Sequence, residues 1–122
     1  MARVADYVIL QDDWVQEVHA PTNPVQVKFN VPDNVHTGSR SVLTFMHEGT
    51  TSLPLEVNVH INGIVVWTFK TTGSFDAPMR LVQEVVEANI LKPGENLLQW
   101  HSNGNWSYNA VSDIVLWVQV ET

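Results

Sequence analysis

Leu55-Glu56-Val57-Asn58-Val59-His60-Ile61-Asn62-Gly63-Ile64-Val65-Val66-Trp67-Thr68-Phe69 reads as one β-hairpin. Leu55, Val57, Val59 and Ile61 alternate with Glu56, Asn58 and His60, so a period of two puts the apolar side chains on one face and the polar ones on the other. Asn62-Gly63 then separates this run from a second one rich in β-branched and aromatic residues. A two-residue type I′ turn needs positive φ at both central positions, and Asn followed by Gly adopts that pair at least cost.

Working outward, the pattern repeats. Downstream, Lys92-Pro93-Gly94-Glu95 places Pro and Gly where a type II turn wants them, and Asn96 is placed to bond its own loop backbone. Leu97, Leu98 and Trp100 open a further strand, and Asp113 to Glu121 forms the last. In that last strand Ile114, Leu116, Val118 and Val120 share a face, while Val115 and Trp117 on the other predict a centre buried on both sides. Upstream, Val25, Val27, Phe29 and Val31 alternate with Gln26, Lys28 and Asn30, and Leu43 and Phe45 oppose Val42, Thr44 and Met46. Pro32-Asp33-Asn34 and Thr37-Gly38-Ser39 make the connection a loop. Tyr7 to Leu10 and Trp14 to His19 read as shorter strands. From Met79 to Leu91 the apolar spacing suits a helix, with Asp76 as a cap before Pro78, but the β-branched content favours a strand over Met79 to Val86. One helical turn around Ala88 to Leu91 follows. Eight or nine short strands with regular turns predict an all-β fold, a jelly-roll β-sandwich, as a single domain over residues 1–122.

Composition narrows the partners. The 122 residues carry a formal net charge of −7 with only six Lys and Arg, which are scattered. Nucleic acid and anionic membranes both call for a basic cluster, so neither is an expected partner. No cysteine is present, which removes disulfides, zinc thiolates and Cys nucleophiles. The first ten residues lack the apolar run and cleavage site of a signal peptide. The expected location is the cytoplasm, or the exterior by a route needing no recognisable leader.

The order of the two turns resembles a known family. Val57-Asn58-Val59-His60-Ile61-Asn62-Gly63, a following strand, and Ile90-Leu91-Lys92-Pro93-Gly94-Glu95-Asn96-Leu97-Leu98 are similar to the galactose-binding-domain-like jelly rolls. Among these are the non-catalytic sugar-binding domains of family 2 glycoside hydrolases. The resemblance covers about residues 40 to 121 and rests on structural turns. It implies a jelly roll and carbohydrate recognition, although members of that family also serve as purely structural modules.

The residues offer two candidate sites. His101, Asn103, Asn105, Trp106 and Tyr108 fall in a polar stretch read as a loop from His101 to Ser112. A sugar site combines a flat aromatic face for C–H groups with fixed amides for hydroxyls; the same Trp can instead plug the end of a sandwich. Asp12, Asp13 and Asp113 form the second, a calcium site of hard oxygen donors such as jelly rolls of this type carry, against the alternative of a solvated acidic turn. A site on a sheet face would instead involve Asn58, His60 and Lys28. The five histidines show no metal-ligand spacing along one strand and read as scattered surface residues. No nucleophile elbow, phosphate loop or marked carboxylate pair is present, so no enzymatic activity is expected. Two functions remain: a lectin-like carbohydrate-binding module, and a structural or assembly protein acting through protein contacts as a homo-oligomer. Calcium is the one cofactor the reading puts forward.

Overall fold

A computed structural model describes residues 2–12, 25–51, 56–70, 75–102 and 107–122, with the backbone alone at 25, 50, 51, 75–77, 102 and 107–109. Eight strands follow in order: β1 Arg3–Gln11, β2 Val25–Asn30, β3 Ser41–Thr51, β4 Glu56–Ile61, β5 Ile64–Lys70, β6 Phe75–Val86, β7 Glu95–Ser102 and β8 Ser107–Glu121. They form two antiparallel four-stranded sheets, β1-β8-β3-β6 and β2-β7-β4-β5. In each sheet the neighbours are mostly non-consecutive, and the chain passes from one sheet to the other. This is the interleaved strand order of a jelly roll, as the turn punctuation predicts.

The inward residues obey the alternation. Leu43 and Phe45 from β3, Val57, Val59 and Ile61 from β4, Leu98 and Trp100 from β7, and Ile114, Leu116 and Val118 from β8 are all buried. Phe45, Trp67 and Trp100 meet edge-on or tilted at centroid separations of 5.1–5.6 Å. Phe45 and Trp100 are buried and Trp67 packs against them partly buried; large aromatics removed from water contribute the most apolar burial per residue.

The two turns singled out in the sequence are physically one structure. Asn62 and Gly63 have φ of 52° and 82°, and Gly94 has φ of 83°, as type I′ and type II turns require. Asn96 is almost completely buried. Its amide donates to the carbonyls of Lys92 and Gly94 at 2.9 and 3.0 Å, and its oxygen accepts from the Lys92 N–H at 2.9 Å. The Asn62 amide donates to Asn96 Oδ1 at 2.8 Å and to the Ile90 carbonyl at 2.9 Å, while Asn62 Oδ1 accepts from the Leu97 N–H at 3.0 Å. Two side chains thus lock the hairpin to the loop before β7 and satisfy buried backbone groups that no ladder reaches.

Four expectations are corrected. The segment at 88–91 is no helical turn: Asn89 has φ of 67°, and the Ile90 N–H bonds the Glu87 carbonyl at 3.4 Å, which is a reversal. The stretch His101 to Ser112 is mostly strand, with β7 running to Ser102 and β8 starting at Ser107. The centre of β8 is not buried on both sides, because Trp117 is 45% exposed on the outer face. His47 is no surface residue; it is wholly buried against Trp67, Phe69 and Trp100. Residues 14–19, expected to form a strand, lie outside the described residues.

Candidate functional site

A sandwich whose inner faces are used for the core has two outer faces to offer, and here they differ in chemistry. On the β2-β7-β4-β5 sheet, Gln26 stands opposite Gln99 and Gln99 opposite His60, while His101 stands opposite Asn58 and Asn58 opposite Thr68. Because Val57, Val59, Leu98 and Trp100 point inward, their neighbours in each strand point out. The result is two adjacent rows of amides, imidazoles and a hydroxyl, the first of them ending on half-exposed Val65 opposite His60, with Lys28 on the edge strand.

Their positions are partly fixed by one another. Thr68 Oγ1 donates to Asn58 Oδ1 at 2.7 Å, and the Asn58 amide reaches Glu56 Oε1 at 3.4 Å. The rings of His60 and His101, on neighbouring strands, lie 4.6 Å apart between centroids with planes tilted by 43°. Burial, and secondarily the nearby His101, lowers the His60 pKa below its ordinary value, so this imidazole is neutral at pH 7 and offers one donor and one acceptor nitrogen.

The β1-β8-β3-β6 sheet is different. Tyr7 stands opposite Trp117, Trp117 opposite Val42, and Val42 opposite Val85. Tyr7, Ile9, Leu81, Val85 and Trp117 are all about half exposed. The Tyr7 and Trp117 rings are 5.5 Å apart, and Trp117 Nε1 donates to Thr44 Oγ1 at 3.1 Å. Val42, Thr44, Leu81, Gln83 and Trp117 line a depression of about 470 Å³.

The expected site residues are dispersed. Of the first set, His101 lies on the polar outer face beside His60, and Tyr108 pairs through its backbone with Thr50 in β8. Asn103, Asn105 and Trp106 lie outside the described residues, between β7 and β8. Of the second set, Asp12 and Asp113 are exposed neighbours: the Asp113 N–H bonds the Asp12 carbonyl at 3.2 Å. Asp113 lies within β8 with φ of 52°, where the register against β3 shifts, and its carboxylate accepts from Ser112 Oγ at 2.8 Å. Asp13 lies outside the described residues, and among the described residues no group of three His, Cys, Asp or Glu is placed to hold a metal. The sequence reading missed Tyr7 and Trp117 as surface groups. The signal was available, since an aromatic in phase with Val115 and Gln119 is out of phase with the core positions Leu116 and Val118.

No protein-family model and no curated protein matches the chain. Solved structures do match in fold. A dimeric latent PorU from Porphyromonas gingivalis superposes with a TM-score of 0.81 at 13% identity, over 99% of this chain and 13% of that one. A β-porphyranase of glycoside hydrolase family 86 from Bacteroides plebeius gives 0.63 at 18% identity, over 98% of this chain and 21% of that one. A family 35 carbohydrate-binding module from an environmental isolate gives 0.50 at 14% identity, over 84% of this chain and 69% of that one. The chain thus spans a small part of the first two proteins. At these identities the likeness speaks for the fold: this chain is built like β-sandwich domains found in glycoside hydrolases and as carbohydrate-binding modules.

Proposed function

We propose that this domain is a non-catalytic carbohydrate-binding module whose ligand lies across the outer face of the β2-β7-β4-β5 sheet. The observation that carries the reading is the polar lattice of His101, Asn58 and Thr68 beside Gln99 and His60. Glycan hydroxyls need donors and acceptors at fixed positions, and Asn58, held by Thr68 and Glu56, is fixed before any ligand arrives. The two imidazoles, tilted by 43° to each other, add ring surface for sugar C–H groups. The apolar face suits a glycan less, because its central hydroxyl, Thr44, is already taken by Trp117. The family 35 module shares the fold, and the resemblance of the two turns to family 2 sugar-binding domains points the same way. The test is a glycan array run with calcium and with chelator. A defined set of hits that Asn58→Ala abolishes and Trp117→Ser leaves intact supports the reading. A blank array in both conditions contradicts it. Loss of the hits with chelator would bring Asp12, Asp13 and Asp113 into the account as a calcium site.

A second reading has its own observation. The row Tyr7, Trp117, Val42, Val85 is a contiguous exposed apolar band, and such bands mark surfaces that meet another protein. On that reading the domain is an assembly element, working as a homo-oligomer or against a neighbouring module. Light scattering separates the two: Trp117→Ser changes the mass in solution under the second reading and leaves it unchanged under the first.

A further inference from the structure

The geometry points to a transition-metal site formed by His60 and His101 on the outer face of the β2-β7-β4-β5 sheet. Neither residue is in a metal-binding motif, because they are 41 positions apart in the chain and only the pairing of β4 with β7 joins them. His60 stands opposite Gln99, two residues from His101, so the two rings are diagonal neighbours on one side of the sheet, within reach of each other.

Their separation is that of a chelating pair. With metal–nitrogen bonds of about 2.0–2.1 Å, two imidazoles on cis positions at 90° have centroids about 4.5 Å apart, and two on tetrahedral positions about 5.2 Å. The observed 4.6 Å matches the tetragonal case, the geometry that copper(II) and nickel(II) prefer. Rotation about χ2, which is soft for histidine, turns a nitrogen of each ring to a shared point above the sheet without moving the backbone. Gln99 and Asn58, directly opposite the two histidines, are the side chains placed to orient the remaining ring nitrogens. Among the described residues no third His, Cys, Asp or Glu completes a cage. A two-imidazole site of this kind selects borderline metals and rejects calcium, which needs several oxygens. This site does not depend on glycan binding and is tested without any sugar.

The experiment is calorimetric titration of the intact protein with copper(II), nickel(II) and calcium chlorides, together with electron paramagnetic resonance of the copper complex. The expected result is one copper equivalent with two-nitrogen hyperfine structure, weaker nickel binding and no calcium binding at this face. His60→Asn and His101→Gln should each weaken copper at least tenfold, while His36→Asn should not. Thermal melts of the variants show that they are folded. Absence of saturable copper binding would overturn the assignment. So would binding that survives both His60→Asn and His101→Gln, because the metal would then be held elsewhere.

Discussion

The two outer faces of this sandwich share a core but not a chemistry. On one, Tyr7, Trp117, Val42 and Val85 form an apolar row across four strands. On the other, His101, Asn58 and Thr68 form a polar row beside Gln26, Gln99 and His60. Both faces rest on the same buried rings, so the difference is not required by folding. A solvated sheet face can be built of polar residues, as the second sheet is, so folding alone does not call for Tyr7 and Trp117 on the first. The contrast teaches that the scaffold is settled by the inward residues and the turns, and that both faces are free to be spent on contacts.

The largest expected effect tests that separation from below. Asn96→Ala removes four hydrogen bonds of a buried amide and should cost about 2–4 kcal/mol in urea unfolding, since several partners lose their mates together. It should lower stability while leaving the relative preference for glycans unchanged in whatever fraction is folded. Next, Asn58→Ala should weaken glycan binding about tenfold, about 1.4 kcal/mol, while leaving the melting temperature nearly constant. Equal losses from Asn58→Ala and Trp117→Ser would erase the proposed division between the faces. Gly94→Ala should destabilise by about 1 kcal/mol. Its added methyl meets open space, so the cost is purely that of φ at 83°. Trp117→Ser should cost about 1 kcal/mol, because the contact with Tyr7 and the bond to Thr44 are lost while the ring was half in water already.

The smallest effect concerns pH. The folded-state pKa of His60 lies below its ordinary value, mainly through burial and then through His101. Between that lowered value and about 6.5 the unfolded chain holds a proton that the folded one does not, so stability rises with pH across this window, and the loss on acidification levels off below it. Glu56 and Lys70, opposite each other on β4 and β5, are charged side chains on the same surface. The contribution of His60 is therefore the difference between the wild-type urea midpoint and that of His60→Gln, measured at pH 7.5 and 5.5. The drop on acidification should be smaller in the variant, and an equal drop in both would remove His60 as its source.

Much of this architecture was legible in the sequence because its signals are local. Asn62-Gly63 and Pro93-Gly94 announce their backbone angles through residue type, and the alternation in β2, β3 and β4 names the inward face. What the sequence hid arises from pairing. The polar run from His101 to Ser112 reads as a loop because loops are polar, yet outward strand positions accept the same residues. The interruption at Asp113 strengthened that error. Its positive φ accompanies a register shift against β3, so Ala110, Val111 and Ser112 are all buried and the period of two is lost where β8 in fact continues. Trp117 was drawn into the core by its bulk. His60 and His101 could not be joined from sequence, since nothing in their separation indicates that β4 lies beside β7.

The central claim is that the polar face, not the apolar one, receives a carbohydrate. Its most direct test is a binding titration of wild type, Asn58→Ala and Trp117→Ser against the strongest hit of a glycan array. The account predicts that Asn58→Ala weakens binding about tenfold and that Trp117→Ser binds like wild type. Binding lost in Trp117→Ser but kept in Asn58→Ala would contradict it and move the ligand to the opposite sheet.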